Sequence, residues 1–270
     1  MAELNIDLHP AQLEIFKSDK RFKIVAAGRR FGKSYLSAWL LLINAIKSES
    51  KDVFYIAPTF QQAKDIMWAM LKDLGKDLII QAYENTAVLT LINGRKIYLK
   101  GSDRPETLRG VGLSYVVLDE YASMKPVVWE QIIRPTLADV KGRALFIGTP
   151  AGKNHFFDLY NDAQEDDDWD AFQFTSIANP FLPKEEIEAA SKSMSSMSFR
   201  QEFQASFETF SGGIFREEWF KVDEEPKDGN YVIAVDPAGF EESEKERNLK
   251  RSRLDETCLL YTSPSPRDRG

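Results

Sequence analysis

Apolar residues in this chain fall in short continuous runs separated by longer helical patterns. Arg21–Ala26 is β-rich, Gly28–Ser34 is polar and glycine-bearing, and Tyr35–Ile46 carries a helix pattern, so the stretch predicts strand, loop, helix. Val53–Ala57 (VFYIA) predicts a second buried strand closed by Pro58, and Gln61–Leu74 an amphipathic helix. Alternation of this kind predicts a parallel sheet covered on both faces. Ala87–Ile92 and Arg95–Leu99 flank Asn93-Gly94, a hairpin signal that inserts an antiparallel pair. Tyr115–Leu118 and Ala144–Ile147 are further buried strands with polar residues at their ends. Ligands bind at the carboxyl ends of parallel strands in such sheets. Beyond about Asn154 the pattern is helical, including Lys184–Met194 and Phe199–Phe207, and is interrupted by a candidate strand at Ala171–Thr175. A linker falls near Ser211–Gly213, and Tyr231–Val235 (YVIAV) reads as a buried strand opening a second domain. There is no internal repeat.

The loop after the first strand carries the first chemistry. Ala27-Gly28-Arg29-Arg30-Phe31-Gly32-Lys33-Ser34 has the shape of a phosphate-binding P-loop, although alanine stands where the first glycine of the pattern is wanted and Gly28 follows one place later. Gly32 permits close backbone approach, Lys33 supplies a point charge for β/γ-phosphates, and Ser34 offers a hydroxyl to Mg²⁺. The dipole at the start of the following helix adds to them. A tight strand-to-helix turn with a solvated lysine is the plainer alternative. Val116-Val117-Leu118-Asp119-Glu120 argues against it, because a buried strand delivering two adjacent carboxylates is costly unless a metal or a reaction uses them. Asp119 is placed to hold Mg²⁺ and Glu120 to polarise an attacking water. The expected fold class is therefore α/β: a P-loop NTPase of the RecA-like type, with a mostly parallel sheet and helices on both faces.

Composition narrows the setting. With 43% apolar residues in 270, the chain can bury a core without disulfides, and its single cysteine, Cys258, permits no internal one. Two histidines cannot build a histidine-rich metal site. The longest apolar stretch, around Ala38–Ile43, is too short to cross a membrane, and Met1–Asp7 has no signal-like pattern. A formal charge of −7 excludes a surface that wraps nucleic acid everywhere, so any DNA contact must be a local basic groove. Glu165-Asp166-Asp167-Asp168 reads as a solvated loop.

Taken in order, the loop Gly28–Ser34, the pair Asp119-Glu120, the strand-end Gly148-Thr149-Pro150 and the later Val235-Asp236-Pro237 resemble the large subunit of tailed-phage terminase, the DNA-packaging motor, over about residues 8 to 257. The first two motifs are shared by many ATPases; the ordered set with the downstream aspartate is more specific. The resemblance implies an ATPase of ATP and Mg²⁺ that drives double-stranded DNA into a procapsid. The implied partners are a homo-oligomeric ring, the terminase small subunit and the portal, in the host cytoplasm and with no membrane. It gives Gln12, in His9-Pro10-Ala11-Gln12, the task of reading adenine. Thr149 becomes part of the element that senses the γ-phosphate. Arg109, in Glu106-Thr107-Leu108-Arg109-Gly110, becomes the arginine inserted from a neighbouring subunit. Arg29 and Arg30, within the loop, could serve in cis instead. Asp236 resembles the first metal-binding aspartate of a ribonuclease-H-like nuclease that uses Mg²⁺ or Mn²⁺. One aspartate cannot assemble a two-metal site.

The expected organisation is a P-loop ATPase domain with a helical C-terminal part over 1–210, a linker over 211–229 and an incomplete ribonuclease-H-like domain over 230–257. The string from Cys258 to Gly270 looks like the translation of a transposase-adapter end used in sequencing libraries. It is expected to be an artefact on a truncated chain, which would then lack nuclease activity. Two other functions fit parts of the pattern. A superfamily-2-type helicase shares the glutamine, the paired motifs and a threonine-bearing segment, but needs a second lobe with arginine-rich motifs. A non-hydrolysing nucleotide-binding regulator would have no use for Glu120 beside Asp119.

Overall fold

The computed structural model describes residues 6–208, with the backbone of residues 233–235 and 259–261. The strands of the first unit, Met1–Gly212, are β1 Phe22–Ala27, β2 Asp52–Ala57, β3 Ile79–Tyr83, β4 Val88–Leu91, β5 Lys96–Gly101, β6 Leu113–Asp119, β7 Arg143–Gly148 and β8 Trp169–Phe174. They form one sheet in the order β3-β4-β5-β2-β6-β7-β1-β8. From β5 to β8 every pairing is parallel, whereas β4 runs antiparallel to both β5 and β3. The parallel sheet, its paired faces and the inserted hairpin thus follow the sequence pattern.

Both faces of the sheet are buried, which explains why the central strands read as continuous apolar runs. Along β1, Val25 and Ala27 pack on one face and Phe22, Ile24 and Ala26 on the other. Helices α1 Pro10–Lys17, α2 Lys33–Lys47 and α3 Phe60–Leu74 cover the first face through Ile15, Leu36, Leu41, Met67 and Leu71. On the second lie Trp129 and Ile133 from a π-helical turn, Val128–Ile133, which runs into the short α4 Arg134–Thr136. Phe156 joins them from α5 His155–Asp162. Two further helices, α6 Lys184–Ser193 and α7 Ser196–Gln204, follow β8. The acidic run Glu165–Asp168 is exposed, as expected of a solvated loop.

The structure departs from the sequence pattern at one strand and one helix. Strand β3 was not expected: it sits at the sheet edge, with four of its five residues exposed, so no buried face stamped a period on it. Helix α7 begins at Ser196 rather than Phe199 and stops at Gln204 instead of reaching Phe207. Ala205 turns left-handed at φ 54°, and Phe207 packs among Phe156, Phe157 and Tyr160.

The second unit is Gly213–Gly270. In it β9 Ile233–Val235 pairs antiparallel with β10 Leu259–Tyr261. β9 falls inside the expected strand, and β10 inside the segment read as foreign. Asp236, the linker over 211–229 and the rest of residues 236–257 lie outside the described residues.

Candidate nucleotide site

The strand order places the site. β1 and β6 are not neighbours; β7 runs between them, so the loop after β1, Thr149 after β7 and the carboxylates at the end of β6 meet at the same sheet edge. Gly32 caps α2 at φ 97°, a left-handed conformation that strains any side chain. The half-buried Ser34 is the second residue of that helix. Gly28 is needed for a different reason: a β-carbon there would lie 2.5 Å from Ser176 Oγ and 2.6 Å from the Phe203 carbonyl. The shifted glycine therefore lets the segment after β8 and helix α7 close directly onto the loop.

Lys33 is folded back on its own loop. Its ammonium donates to the carbonyls of Ala27 at 2.9 Å and Gly28 at 3.1 Å and to Thr149 Oγ1 at 3.0 Å. Those bonds use all three of its protons. Burial lowers its pKa, against the opposing pull of Glu120 and Asp119. Thr149 also donates its main-chain N–H to Glu120 Oε2 across 3.5 Å. One threonine thus touches both the loop lysine and the carboxylate expected to activate water.

Asp119 is 3% exposed, and both of its oxygens are engaged. Tyr55 O–H donates to Oδ2 at 2.5 Å, and the Glu120 N–H donates to Oδ1 at 2.9 Å. Burial, then Glu120, push its carboxyl up to about 6, while Tyr55 and Lys33 hold it down. Glu120 follows in the left-handed region at φ 53°, uncommon for a side chain of its size. A divalent cation fits this donor set: hard oxygens on Ser34 and Asp119 suit Mg²⁺, which keeps several of its own waters. A positive charge would also relieve a buried carboxyl that burial drives toward neutrality.

The cleft has a volume of about 620 Å³, and its walls include Arg29, Arg30, Lys33, Glu120, Thr149 and Glu202. Arg29 is anchored twice to α7, its N–H donating to the Glu202 carbonyl at 2.7 Å and its guanidinium pairing with the Glu202 carboxylate. Arg30 is left-handed at φ 62°, and Asn179 Nδ2 donates to its carbonyl at 2.7 Å.

Of the other expected site residues, Gln12 lies against the loop and Arg109 lies away from it. Gln12 is 3% exposed and grips the loop: its Nε2 donates to the Gly32 carbonyl at 2.9 Å, and its Oε1 accepts from the His9 N–H at 3.2 Å. His9 caps α1 and places Nε2 2.9 Å from the Phe31 carbonyl. Arg109 is exposed beside Lys51 and Asp139, four residues before β6 begins. That is the amino-terminal edge of the sheet, so Arg109 does not line this chain's own cleft.

The residues that sequence reasoning missed are Tyr55, Ser176, Asn179 and Glu202. Tyr55 looked like one more apolar position of β2, and the others contact the loop only because the chain returns to it more than a hundred residues later. Only the His9-Pro10 start of α1 carried a local signal, that of a capped helix with proline in its first turn.

Fold and site together define a P-loop nucleotide-binding domain of the ATPase class. The chain matches the family model described as terminase large subunit, T4likevirus-type, N-terminal, over residues 24–222, and it belongs to that family. It is 30% identical over 203 residues to the terminase large subunit of Escherichia phage T5, covering 72% of this chain and 46% of the relative. To that of Thermus virus P23-45 it is 28% identical over 172 residues, covering 56% and 36%. The chain therefore spans less than half the length of these relatives. Among solved structures, the Thermus phage P74-26 large terminase ATPase domain superposes with TM-score 0.67 at 24% identity, covering 76% of this chain and 95% of that one. A large terminase from a thermophilic bacteriophage, solved in complex with ADP, gives 0.66 at 18%, covering 86% and 62%. Both show the same fold. Family membership sets aside the helicase reading.

Proposed function

We propose that this chain hydrolyses ATP with Mg²⁺ in the cleft between β1 and β6, and that the hydrolysis drives double-stranded DNA into a procapsid. The observation that carries the reading is the convergence of Lys33 and Glu120 on Thr149, at 3.0 Å and 3.5 Å. A binding-only regulator needs the lysine but has no use for a carboxylate held where a γ-phosphate would face it.

Incoming phosphates would draw the Lys33 ammonium off the Ala27 and Gly28 carbonyls, while the N–H groups of the loop and of the first turn of α2 cradle the phosphate oxygens. Ser34 and Asp119 would hold Mg²⁺, which neutralises charge developing on the β- and γ-oxygens. Glu120 accepts the proton of the attacking water. Moving Lys33 onto phosphate frees the Thr149 hydroxyl, so loss of the γ-phosphate is felt by the segment that leads from β7 into α5. An arginine offsets the transition-state charge. Arg109 of a neighbouring subunit in a ring is the preferred source, because Arg109 stands at the far edge of its own sheet. Arg29 and Arg30, already on the cleft wall, are the alternative. The ring, the small subunit and the portal are the partners the packaging reading requires. Duplex binding by so acidic a chain would rest on a local basic groove and weaken steeply with salt.

A malachite-green phosphate assay on the purified chain with Mg·ATP, with and without duplex DNA, tests the proposal. Turnover abolished by Glu120→Gln with nucleotide binding intact is the expected result. Tight ATP binding without any turnover by the wild-type chain at high concentration would favour the regulator.

A further inference from the structure

The edge of the sheet opposite the nucleotide cleft holds a second, smaller cavity. It lies at the amino-terminal ends of β1, β6 and β7, beneath the last turns of α2, and has a volume of about 120 Å³. That is roughly four times one water's share of liquid volume, enough for a single tetrahedral oxyanion. Five cationic side chains contribute to its wall, those of Lys20, Arg21, Lys23, Lys47 and Arg143, against one carboxylate, the exposed Asp19.

Most of these cations are held by main-chain carbonyls. Lys20 donates to the Asp167 carbonyl at 2.5 Å, Lys23 to that of Ile15 at 2.9 Å, Arg143 to that of Lys20 at 2.8 Å, and Arg21 to that of Gly142 at 3.1 Å. None of the five joins an ion pair among the described residues. The nearby Asp170 already accepts from the Ser18 hydroxyl. Their charge is thus fixed in place without being neutralised.

A second feature stands in the wall of the same cavity. Tyr115, in register with Arg143 across β6 and β7, is 3% exposed, and its hydroxyl has no hydrogen-bond partner. A buried hydroxyl without a partner is rare, since folding normally satisfies such groups. Lys23 is itself 6% exposed, and burial, with Arg143, lowers its pKa to about 8. An anion in the cavity would restore the charge on the lysine, and a small shift of the wall would bring the hydroxyl, itself closed off from solvent, onto it.

We propose that this cavity, built from Lys20, Lys23, Lys47, Arg143 and Tyr115, binds one phosphate-class oxyanion, independently of the nucleotide site. Lys23 and Ala27 share β1, and Tyr115 and Asp119 share β6. The two sites therefore cap opposite ends of the same two strands, four residues apart on each.

Calorimetric titration of the full chain with sodium phosphate, at ionic strength fixed with chloride, tests this. Because the P-loop also attracts phosphate, the titration is made in Lys33→Ala as well as wild type. Saturable binding should persist in Lys33→Ala, weaken at least ~10-fold when Lys23→Met or Arg143→Gln is added, and weaken ~3- to 10-fold with Tyr115→Phe, which removes a single hydroxyl. Tyr115→Phe leaves the packing almost unchanged, so it serves if the charge variants fold poorly. Titration with a blunt duplex distinguishes the sources. Duplex binding lost in the same variants and competed by phosphate identifies a DNA phosphodiester; duplex binding unaffected by them identifies the free ion. No phosphate binding in Lys33→Ala up to tens of millimolar, or binding there indifferent to all three substitutions, would overturn the proposal.

Discussion

The Tyr55 hydroxyl donates to Asp119 Oδ2 at 2.5 Å between adjacent strands, and this bond is the main side-chain restraint on a carboxyl that burial pushes up to about 6. Tyr55→Phe should therefore raise the Asp119 pKa further. If the ionised form is the one that holds Mg²⁺, the acid limb of the ATPase pH profile should move to higher pH with little change in the alkaline limb. Steady-state rates between pH 5 and 8 at saturating Mg·ATP would show it, and an unmoved acid limb would separate Tyr55 from the titration of Asp119.

The same carboxyl should cost the apo protein stability. Its folded pKa stands above the unfolded value of 3.8, so between pH 4 and 6 the native state binds more protons than the unfolded state and stability falls as pH rises. Asp119→Asn removes that cost. Without nucleotide or Mg²⁺ it should raise the melting midpoint at pH 7 to 8, by an amount equivalent to at most about 3 kcal/mol, and the gain should shrink toward pH 4. Differential scanning calorimetry at the two pH values reads both arms.

Gln12 allows its two readings to be separated. If it braces the loop, Gln12→Ala leaves the His9 N–H without a partner and the Gly32 carbonyl with only the Leu36 N–H, costs about 1–3 kcal/mol of stability, and weakens ATP and GTP alike. An adenine reader would instead lose preference between them. Competition binding with the two nucleotides decides, and on the contacts at 2.9 Å and 3.2 Å equal weakening is the expected result.

Gly28 packs against two later segments of the chain. Gly28→Ala would drive a methyl group into Ser176 Oγ and the Phe203 carbonyl, both within 2.6 Å of the added carbon. The expected loss is about 1–3 kcal/mol from overpacking, with Arg29 freed from Glu202. Urea unfolding measures the first, and faster proteolysis after α6 reports the second.

Arg109 should act between subunits. ATPase activity per chain should rise with protein concentration, and Arg109→Ala should poison mixtures more than in proportion to its share. Activity independent of concentration, lost instead with Arg30→Ala, would assign the role within the chain.

The sequence by itself determined the alternation of strands and helices, the hairpin at Asn93-Gly94, the phosphate loop and the carboxylate pair. These are properties of neighbouring residues: burial on both faces writes continuous apolar runs, a helix face writes its own period, and the loop chemistry is contiguous from Gly28 to Ser34. Strand β3 escaped because an exposed edge strand has no buried face to give it a period, and helix α7 ended early because Phe207 was needed in a distant core. Tertiary structure alone decided that β7 lies between β1 and β6, which brings Thr149 onto both Lys33 and Glu120. It also decided that Tyr55 reaches Asp119, that Gln12 turns its amide to Gly32, and that Arg109 stands at the opposite edge from the cleft. Each of these depends on which strands become neighbours and which ends they share, a relation between residues distant along the chain that local patterning does not encode.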